Sequence, residues 1–77
     1  MRIRYDETVD ALYIRLKEAE YYESDEIKDG FILDYDKDGN IIGIEILDVS
    51  SYLQPSELSA VSFEIDRVIA LQKEDRV

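Results

Sequence analysis

The sequence predicts an α+β fold, in which a small antiparallel sheet of four or five strands is followed by a C-terminal helix. Several short segments in the first 50 residues alternate between apolar and polar residues, as half-buried strands do. An Asp-Gly turn dipeptide separates two of these segments, and the apolar spacing becomes helical after Pro55. With a length of 77 residues, we expect one domain over residues 1–77.

The first two predicted strands cover residues 3–5 and 11–16. In both, every second residue is apolar, and the residues between are mostly Arg or Tyr. The stretch between the strands is too polar for a core. Asp6 is a suitable N-cap, so we expect a single turn of helix after it.

Three further strands are expected in the middle of the chain. Residues 20–27 carry many acids, which suits an edge strand protected from unwanted pairing. Residues 31–35 and 41–47 are rich in Ile, Phe and Tyr and form a predicted β-hairpin over 31–47, within a meander. A two-residue type I′ turn at Asp38-Gly39 would place apolar residues opposite one another. The expected pairs are Tyr35 with Ile42, Leu33 with Ile44, and Phe31 with Ile46.

The same hairpin contains a match to a calcium-binding EF-hand loop, DYDKDGNIIGIE at residues 34–45. A true EF-hand requires a helix to start near the end of this loop, but residues 41–46 are rich in Ile and favour a strand. The hairpin is therefore the favoured interpretation. Weak binding of Ca²⁺ or Mg²⁺ is a smaller hypothesis, and no other cofactor is expected. Its candidate ligands are Asp34, Asp36 and Glu45, which the expected register places on one face, and Asp38 at the tip of the hairpin.

The last third of the chain favours a helix over residues 55–73. Pro55 suits the first helical position, and apolar residues then follow at helical spacing. A strand remains an alternative for residues 61–65, where apolar and polar residues alternate. The helix is expected to cross one face of the sheet. The core residues expected there are Ile3, Leu12, Ile14, Leu33, Ile42, Ile44 and Ile46.

Composition excludes several classes of function. The chain has no Cys and no His, so thiolate metal sites, disulfides and His-dependent nucleophilic catalysis are ruled out. We expect no enzymatic activity. No long apolar run follows the N-terminus or occurs elsewhere, so we expect a cytoplasmic protein that does not enter a membrane.

The negative charge is concentrated in one segment. The net charge is −10, and residues 18–48 hold eleven acids and two bases, or −9 of that total. Such a surface repels nucleic acid and anionic membranes. We therefore expect a non-catalytic protein-binding module whose partner is a small basic protein; the alternative is a homo-oligomeric structural protein. The candidate contact residues are Glu23, Asp25, Glu26 and Tyr13.

Two blocks of sequence resemble a known family. YDETVDALYIRL at 5–16 and DGFILDYDKDGNIIGIEILDVS at 29–50 are similar to the signature blocks of the YuzE-like family, domain of unknown function 2283. The family commonly has Pro where this chain has Glu7, and residues from 52 onward do not match. The resemblance implies no established activity. Members are often encoded beside small basic proteins that resemble ribonuclease-type toxins, which implies an antitoxin-like role.

Overall fold

The computed structural model describes residues 1–67, which contain a five-stranded antiparallel sheet. Its strands are β1 (Arg2–Asp6), β2 (Ala11–Arg15), β3 (Glu23–Lys28), β4 (Phe31–Tyr35) and β5 (Ile41–Leu47). The expected sheet is therefore confirmed, and its strands lie where the alternating segments predicted them. Within residues 1–67, no helix is both long enough and apolar enough to cross a membrane.

The order of strands in the sheet is β1-β2-β5-β4-β3. Strands β3, β4 and β5 form a meander, but the β1–β2 hairpin joins it at β5, so the prediction of one continuous meander is wrong. The link between β2 and β3 passes the ends of β5 and β4. Its two ends are fixed by the backbone N–H of Leu16, which donates to Ile42 O at 2.9 Å, and that of Tyr22, which donates to Tyr35 O at 2.8 Å.

The predicted hairpin over 31–47 is confirmed as β4 and β5. Leu33 pairs with Ile44, as expected, and Phe31 pairs with Ile46. A register irregularity lies between Asp34 and Tyr35. Because of this irregularity, Phe31 and Leu33 keep their predicted partners although the turn differs from the predicted one.

The turn of this hairpin is not type I′. The Gly39 N–H donates to Asp36 O at 3.0 Å, and the Asp36 N–H donates to Asn40 O at 2.9 Å, which defines a three-residue loop at 37–39. Type I′ requires a positive φ at both central residues, but of the expected pair only Gly39 has one, at +85°. Tyr35 consequently pairs with Ile41 instead of Ile42.

One face of the sheet is apolar and is partly covered by the chain after β5. Cross-strand pairing aligns Ile3, Tyr5, Leu12, Ile14, Phe31, Leu33, Ile44 and Ile46 on this face. A 3-10 turn (Val49–Ser51) and a short helix, α1 (Pro55–Leu58), follow. Val49 is buried, and the ring of Tyr52 packs edge-on against Phe31 with ring centroids 5.6 Å apart. Most of the predicted core residues thus lie on one face.

The C-terminal helix is much shorter than predicted. A capping box at Gln54 starts α1 as expected, but the helix ends at Leu58, and residues 60–67 have no regular secondary structure. The predicted helix over 55–73 is therefore confirmed at Pro55–Leu58 and wrong at 59–67, where the alternative strand at 61–65 does not form either, and residues 68–73 lie outside the described residues. Val61 and Ile65 of the predicted apolar stripe are 63% and 64% exposed. A helix of this length is only marginally stable by itself, so helical spacing after Leu58 is not enough to extend it.

The connection between β1 and β2 is a turn and not the expected turn of helix. Asp6 does cap it, because its Oδ1 accepts hydrogen bonds from the Thr8 N–H at 3.0 Å and the Thr8 hydroxyl at 2.6 Å. These two bonds lower the pKa of Asp6. The turn ends at Asp10, which adopts a left-handed conformation with φ +55°.

Candidate functional site

The face of the sheet opposite the apolar face carries a cluster of polar side chains. Tyr13 of β2 pairs with Glu45 of β5. One step along the strands, Gly43 lies between Arg15 of β2 and Asp34 of β4. Because residues in register on neighbouring strands share a face, these side chains converge on the middle of the sheet. We call Tyr13, Arg15, Ser24, Asp34 and Glu45 the polar cluster.

Asp34 is the most deeply buried member of the polar cluster, with 2% of its surface exposed. Its Oδ1 accepts a hydrogen bond from the Ser24 hydroxyl at 2.8 Å, and the Tyr21 hydroxyl lies 2.8 Å from the same Ser24 oxygen. A buried carboxylate requires such donors, because an unpaired one is very costly to desolvate. Ser24 therefore fixes the position of Asp34.

Glu45 and Asp34 form a pair of carboxyl groups. Burial raises the pKa of Glu45, and the hydrogen bond with Asp34 and its negative charge raise it further. A negative charge beside a carboxyl group disfavours its ionised form, so the Asp34 carboxylate favours the protonated form of Glu45.

Gly43 allows the Tyr13 side chain to cross the sheet beside this pair. A Cβ atom at position 43 would lie 2.8 Å from the Tyr13 hydroxyl oxygen and 3.4 Å from Asp34 Oδ2. Arg15 holds the far end of the ring, since its Nη1 donates to the Tyr13 hydroxyl at 3.3 Å and its Nη2 donates to Ala19 O at 2.6 Å. Glycine is thus required by a close approach and not by a turn.

A second polar arrangement ties the β1–β2 turn to the 3-10 turn. The Asp10 carboxylate accepts hydrogen bonds from the hydroxyls of Tyr5 and Ser50, each at 2.6 Å, and from the Ser50 N–H at 3.1 Å. These bonds lower the pKa of Asp10. The hydrogen bond to Asp10 is also the main cause that raises the pKa of Tyr5 to about 12. We call these three residues the Asp10 junction.

Both arrangements are built by the part of the chain that a known family covers. A family model described as "Protein of unknown function (DUF2283)" matches residues 2–50. The chain belongs to the DUF2283 family. The matched residues include every member of the polar cluster and the Asp10 junction. No curated protein and no solved structure matched the chain.

The four predicted metal ligands do not converge in this DUF2283 domain. Asp34 and Glu45 lie together, on one face as expected. Asp36 instead organises the hairpin loop, where its Oδ1 accepts from the N–H groups of Asp38 and Asn40 at 3.0 and 2.9 Å. Among residues 1–67, no group of three Asp, Glu, His or Cys residues could hold a metal ion. Binding of Ca²⁺ or Mg²⁺ stays a prediction.

The predicted partner contacts fall on two different surfaces. Glu23, Asp25 and Glu26 lie on β3, an edge strand as predicted, and all three are exposed. Tyr13 belongs to the polar cluster on β2, and β5 and β4 separate β2 from β3. At the usual spacing between strands, this separation is about 14 Å. Tyr13 is therefore separate from the β3 edge itself, and the partner contacts stay a prediction.

Sequence reasoning missed the roles of Ser24 and Gly43 in the DUF2283 domain. The Ser24 hydroxyl gives no periodic signal, because its importance depends on which strand lies beside β3. Gly43 did give a signal, since a single glycine within an Ile-rich strand often marks a close approach to the backbone. That signal indicates a contact but not the residue that makes it.

Proposed function

We propose that this DUF2283 domain is a non-catalytic, cytoplasmic protein-binding module whose partner is a small basic protein. The observation that carries the proposal is β3, an open edge of the sheet on which all six residues are exposed. The outer side of an edge strand presents unpaired backbone N–H and C=O groups. An extended segment of a partner can add to these groups as a further strand.

Charge on β3 selects the kind of strand that can add. Glu23, Asp25 and Glu26 leave one base, Lys28, on the six-residue strand. A second β3 would bring acids opposite acids, which is unfavourable, whereas a basic strand would bring opposite charges together. The wider acidic segment, residues 18–48, would also accelerate association with a basic protein. Together with the family resemblance, this supports an antitoxin-like role.

The first experiment is native co-purification of the chain from its host at moderate salt, followed by mass spectrometry. We expect one small basic protein at near-equal stoichiometry. With that protein in hand, the association rate should fall steeply as salt concentration rises, because screening weakens long-range steering. Recovery of the chain alone, or an association rate that does not respond to salt, would contradict the proposal.

A matched pair of variants tests the strand itself. Glu23→Gln with Asp25→Asn removes two charges from β3, and we expect at least a tenfold weaker complex. Glu7→Gln with Asp38→Asn removes the same charge from exposed positions outside β3 and serves as the control. Equal weakening by both pairs would show that net charge, and not the β3 edge, accounts for binding.

A further inference from the structure

The opposite edge of the sheet, β1, is also open, and it is basic where β3 is acidic. Arg2, Ile3 and Arg4 are all exposed. Arg2 forms an ion pair with Glu18 at 2.9 Å. In the part of the chain that the structure describes, Arg4 has no ion pair. This edge therefore offers unpaired backbone groups beside an arginine that forms no ion pair within the described residues.

Residues 61–67 form a segment with the pattern of a strand but without a partner strand. Val61, Phe63 and Ile65 alternate with polar residues and are 63%, 74% and 64% exposed. Among the described residues, no hydrogen bond joins 61–67 to the sheet. Three large apolar side chains exposed at every second position are typical of one face of a strand.

We propose that residues 62–66 of one copy add as an antiparallel strand to β1 of a second copy. In the best register, apolar side chains meet on the apolar face of the sheet, and acids meet arginines on the polar face. The pairs are Tyr5 with Phe63, Arg4 with Glu64, Ile3 with Ile65, and Arg2 with Asp66. Both faces of the new strand are then complementary to β1.

Other arrangements of the same strand are less complementary. A shift by one residue would place Phe63 beside Arg4 and move the apolar side chains to the polar face. A parallel arrangement with Glu64 beside Arg4 would set Asp66 beside Asp6, an acid against an acid. On β3, the acids of the segment would meet further acids. Antiparallel addition to β1 is the favoured arrangement.

The strand that adds to β1 comes from a second copy of the chain, because two copies can exchange their segments reciprocally. Each copy offers one β1 edge and one segment, so two copies close around a twofold axis and satisfy both edges. Among the described residues, only Ile42 and Val49 are buried apolar side chains, which is a small core for a domain of this size. The dimer would also cover Phe63 and Ile65. This interface leaves β3 free, so it is independent of the proposed basic partner.

Sedimentation velocity of the full chain over a concentration series tests the dimer. We expect a dimer for the unmodified protein, at least a tenfold weaker dimer for Arg4→Glu and for Glu64→Arg, and recovery when both substitutions are combined. Glu7→Arg changes an exposed acid outside both elements and is the control. Circular dichroism confirms that each variant is folded. A monomer at every concentration, or a dimer insensitive to Arg4→Glu, would overturn the proposal.

Engineered cysteines separate exchange between copies from pairing within one chain. The chain has no cysteine, so Ile3→Cys and Ile65→Cys introduce unique thiols. When the two single variants are mixed and mildly oxidised, we expect a disulfide between the two different chains, because paired residues on adjacent strands lie within bonding reach. A disulfide that forms only inside a chain carrying both substitutions would show that the segment pairs with its own β1.

Discussion

The hydrogen bond from Tyr5 to Asp10 gives one tyrosine an unusual titration. The donated hydrogen bond and the neighbouring negative charge raise the pKa of Tyr5 to about 12. We expect one tyrosine to ionise last in an ultraviolet absorbance titration, and Tyr5→Phe to remove that step. Asp10→Asn should lower the pKa of Tyr5. A titration in which Tyr5→Phe removes an ordinary step near pH 10 would contradict this assignment.

Ionisation of Tyr5 also determines how the stability of the fold changes at alkaline pH. The pKa of Tyr5 is higher in the folded state than its usual value of about 10 in an unfolded chain. Its contribution to stability is therefore complete below about pH 10 and is lost as the pH rises toward 12. Asp10, whose pKa is lowered, behaves in the opposite way and loses its contribution as the pH falls through its folded pKa.

Glu45 should make stability decrease with rising pH in the mildly acidic range. Its pKa is raised in the folded state. The contribution of its protonated form to stability is therefore complete below the unfolded pKa of about 4.3 and is lost as the pH rises through the folded pKa. Glu45→Gln keeps a hydrogen-bond donor for Asp34 but has no proton to lose. We expect urea unfolding over a pH series to show a higher free energy of unfolding for this variant above that range.

An exposed acid provides the control for the Glu45 experiment. Glu7→Gln removes a carboxylate that lies outside the polar cluster, and it should leave the pH slope of the unfolding free energy nearly unchanged. If Glu45→Gln and Glu7→Gln gave parallel curves, the raised pKa of Glu45 would not contribute to the pH dependence of stability.

The contact between β2 and β5 depends on the absence of a side chain at Gly43. Gly43→Ala would place a methyl group 2.8 Å from the Tyr13 hydroxyl oxygen and 3.2 Å from the carbon that bears it. Overpacking of this kind costs roughly 1–3 kcal/mol of unfolding free energy, because the ring must move. We expect urea unfolding to show this loss. Tyr13→Phe removes the closest atom, so the double variant should recover part of the loss. Strictly additive losses would contradict the contact.

At the scale of the element, the sequence predicts where strands lie along the chain better than it predicts which strands lie side by side in the sheet. Alternation located the strands, and opposed apolar residues fixed the pairing of Leu33 with Ile44. The place of the β1–β2 hairpin beside β5 is a contact between distant segments, for which local periodicity holds no information. The helix after Pro55 ends at Leu58, because helical spacing of apolar residues does not by itself stabilise a short helix.

The candidate site shows the same division. The sequence placed Asp34 and Glu45 on one face of the hairpin, and the structure confirms that face. Tyr13 and Ser24 come from β2 and β3. Their positions beside Asp34 and Glu45 could not be predicted without the strand order. The candidate partner contacts Tyr13, Glu23, Asp25 and Glu26 likewise come from β2 and β3, which the strand order separates. Sequence predicts which residues share a strand face more readily than which strands meet.

At the scale of the whole molecule, the sheet has an acidic edge and a basic edge. Strand β3 carries three acids and one base, whereas β1 carries two arginines and one acid. The proposed functions divide between these edges: a basic partner adds at β3, and the C-terminal segment of a second copy adds at β1. Because the two edges lie at opposite ends of the strand order, both can be occupied at once.

The net charge of −10 should make the stability and the dimerisation of the chain respond differently to salt. Repulsion among the acids of residues 18–48 destabilises the compact state, and raising salt from about 0.01 M to about 0.1 M shortens the Debye length from about 30 Å to 10 Å. We expect the melting temperature of the Arg4→Glu variant, which should be monomeric, to rise over this range. Dimerisation of the unmodified chain should respond less, because screening reduces both the attraction of Glu64 for Arg4 and the repulsion between two chains that each carry −10.

A variant of lower charge separates general repulsion from particular ion pairs. Glu7→Gln with Asp38→Asn, introduced together with Arg4→Glu, reduces the negative charge by two, so its melting temperature should rise less steeply with salt. A melting temperature that falls with salt in both proteins would mean that ion pairs such as Arg2 with Glu18 outweigh the repulsion. Exposed pairs of this kind contribute only about 0–1 kcal/mol. For that reason we expect repulsion to dominate, and the acidic segment to gain more from a basic partner than from any contact within the chain.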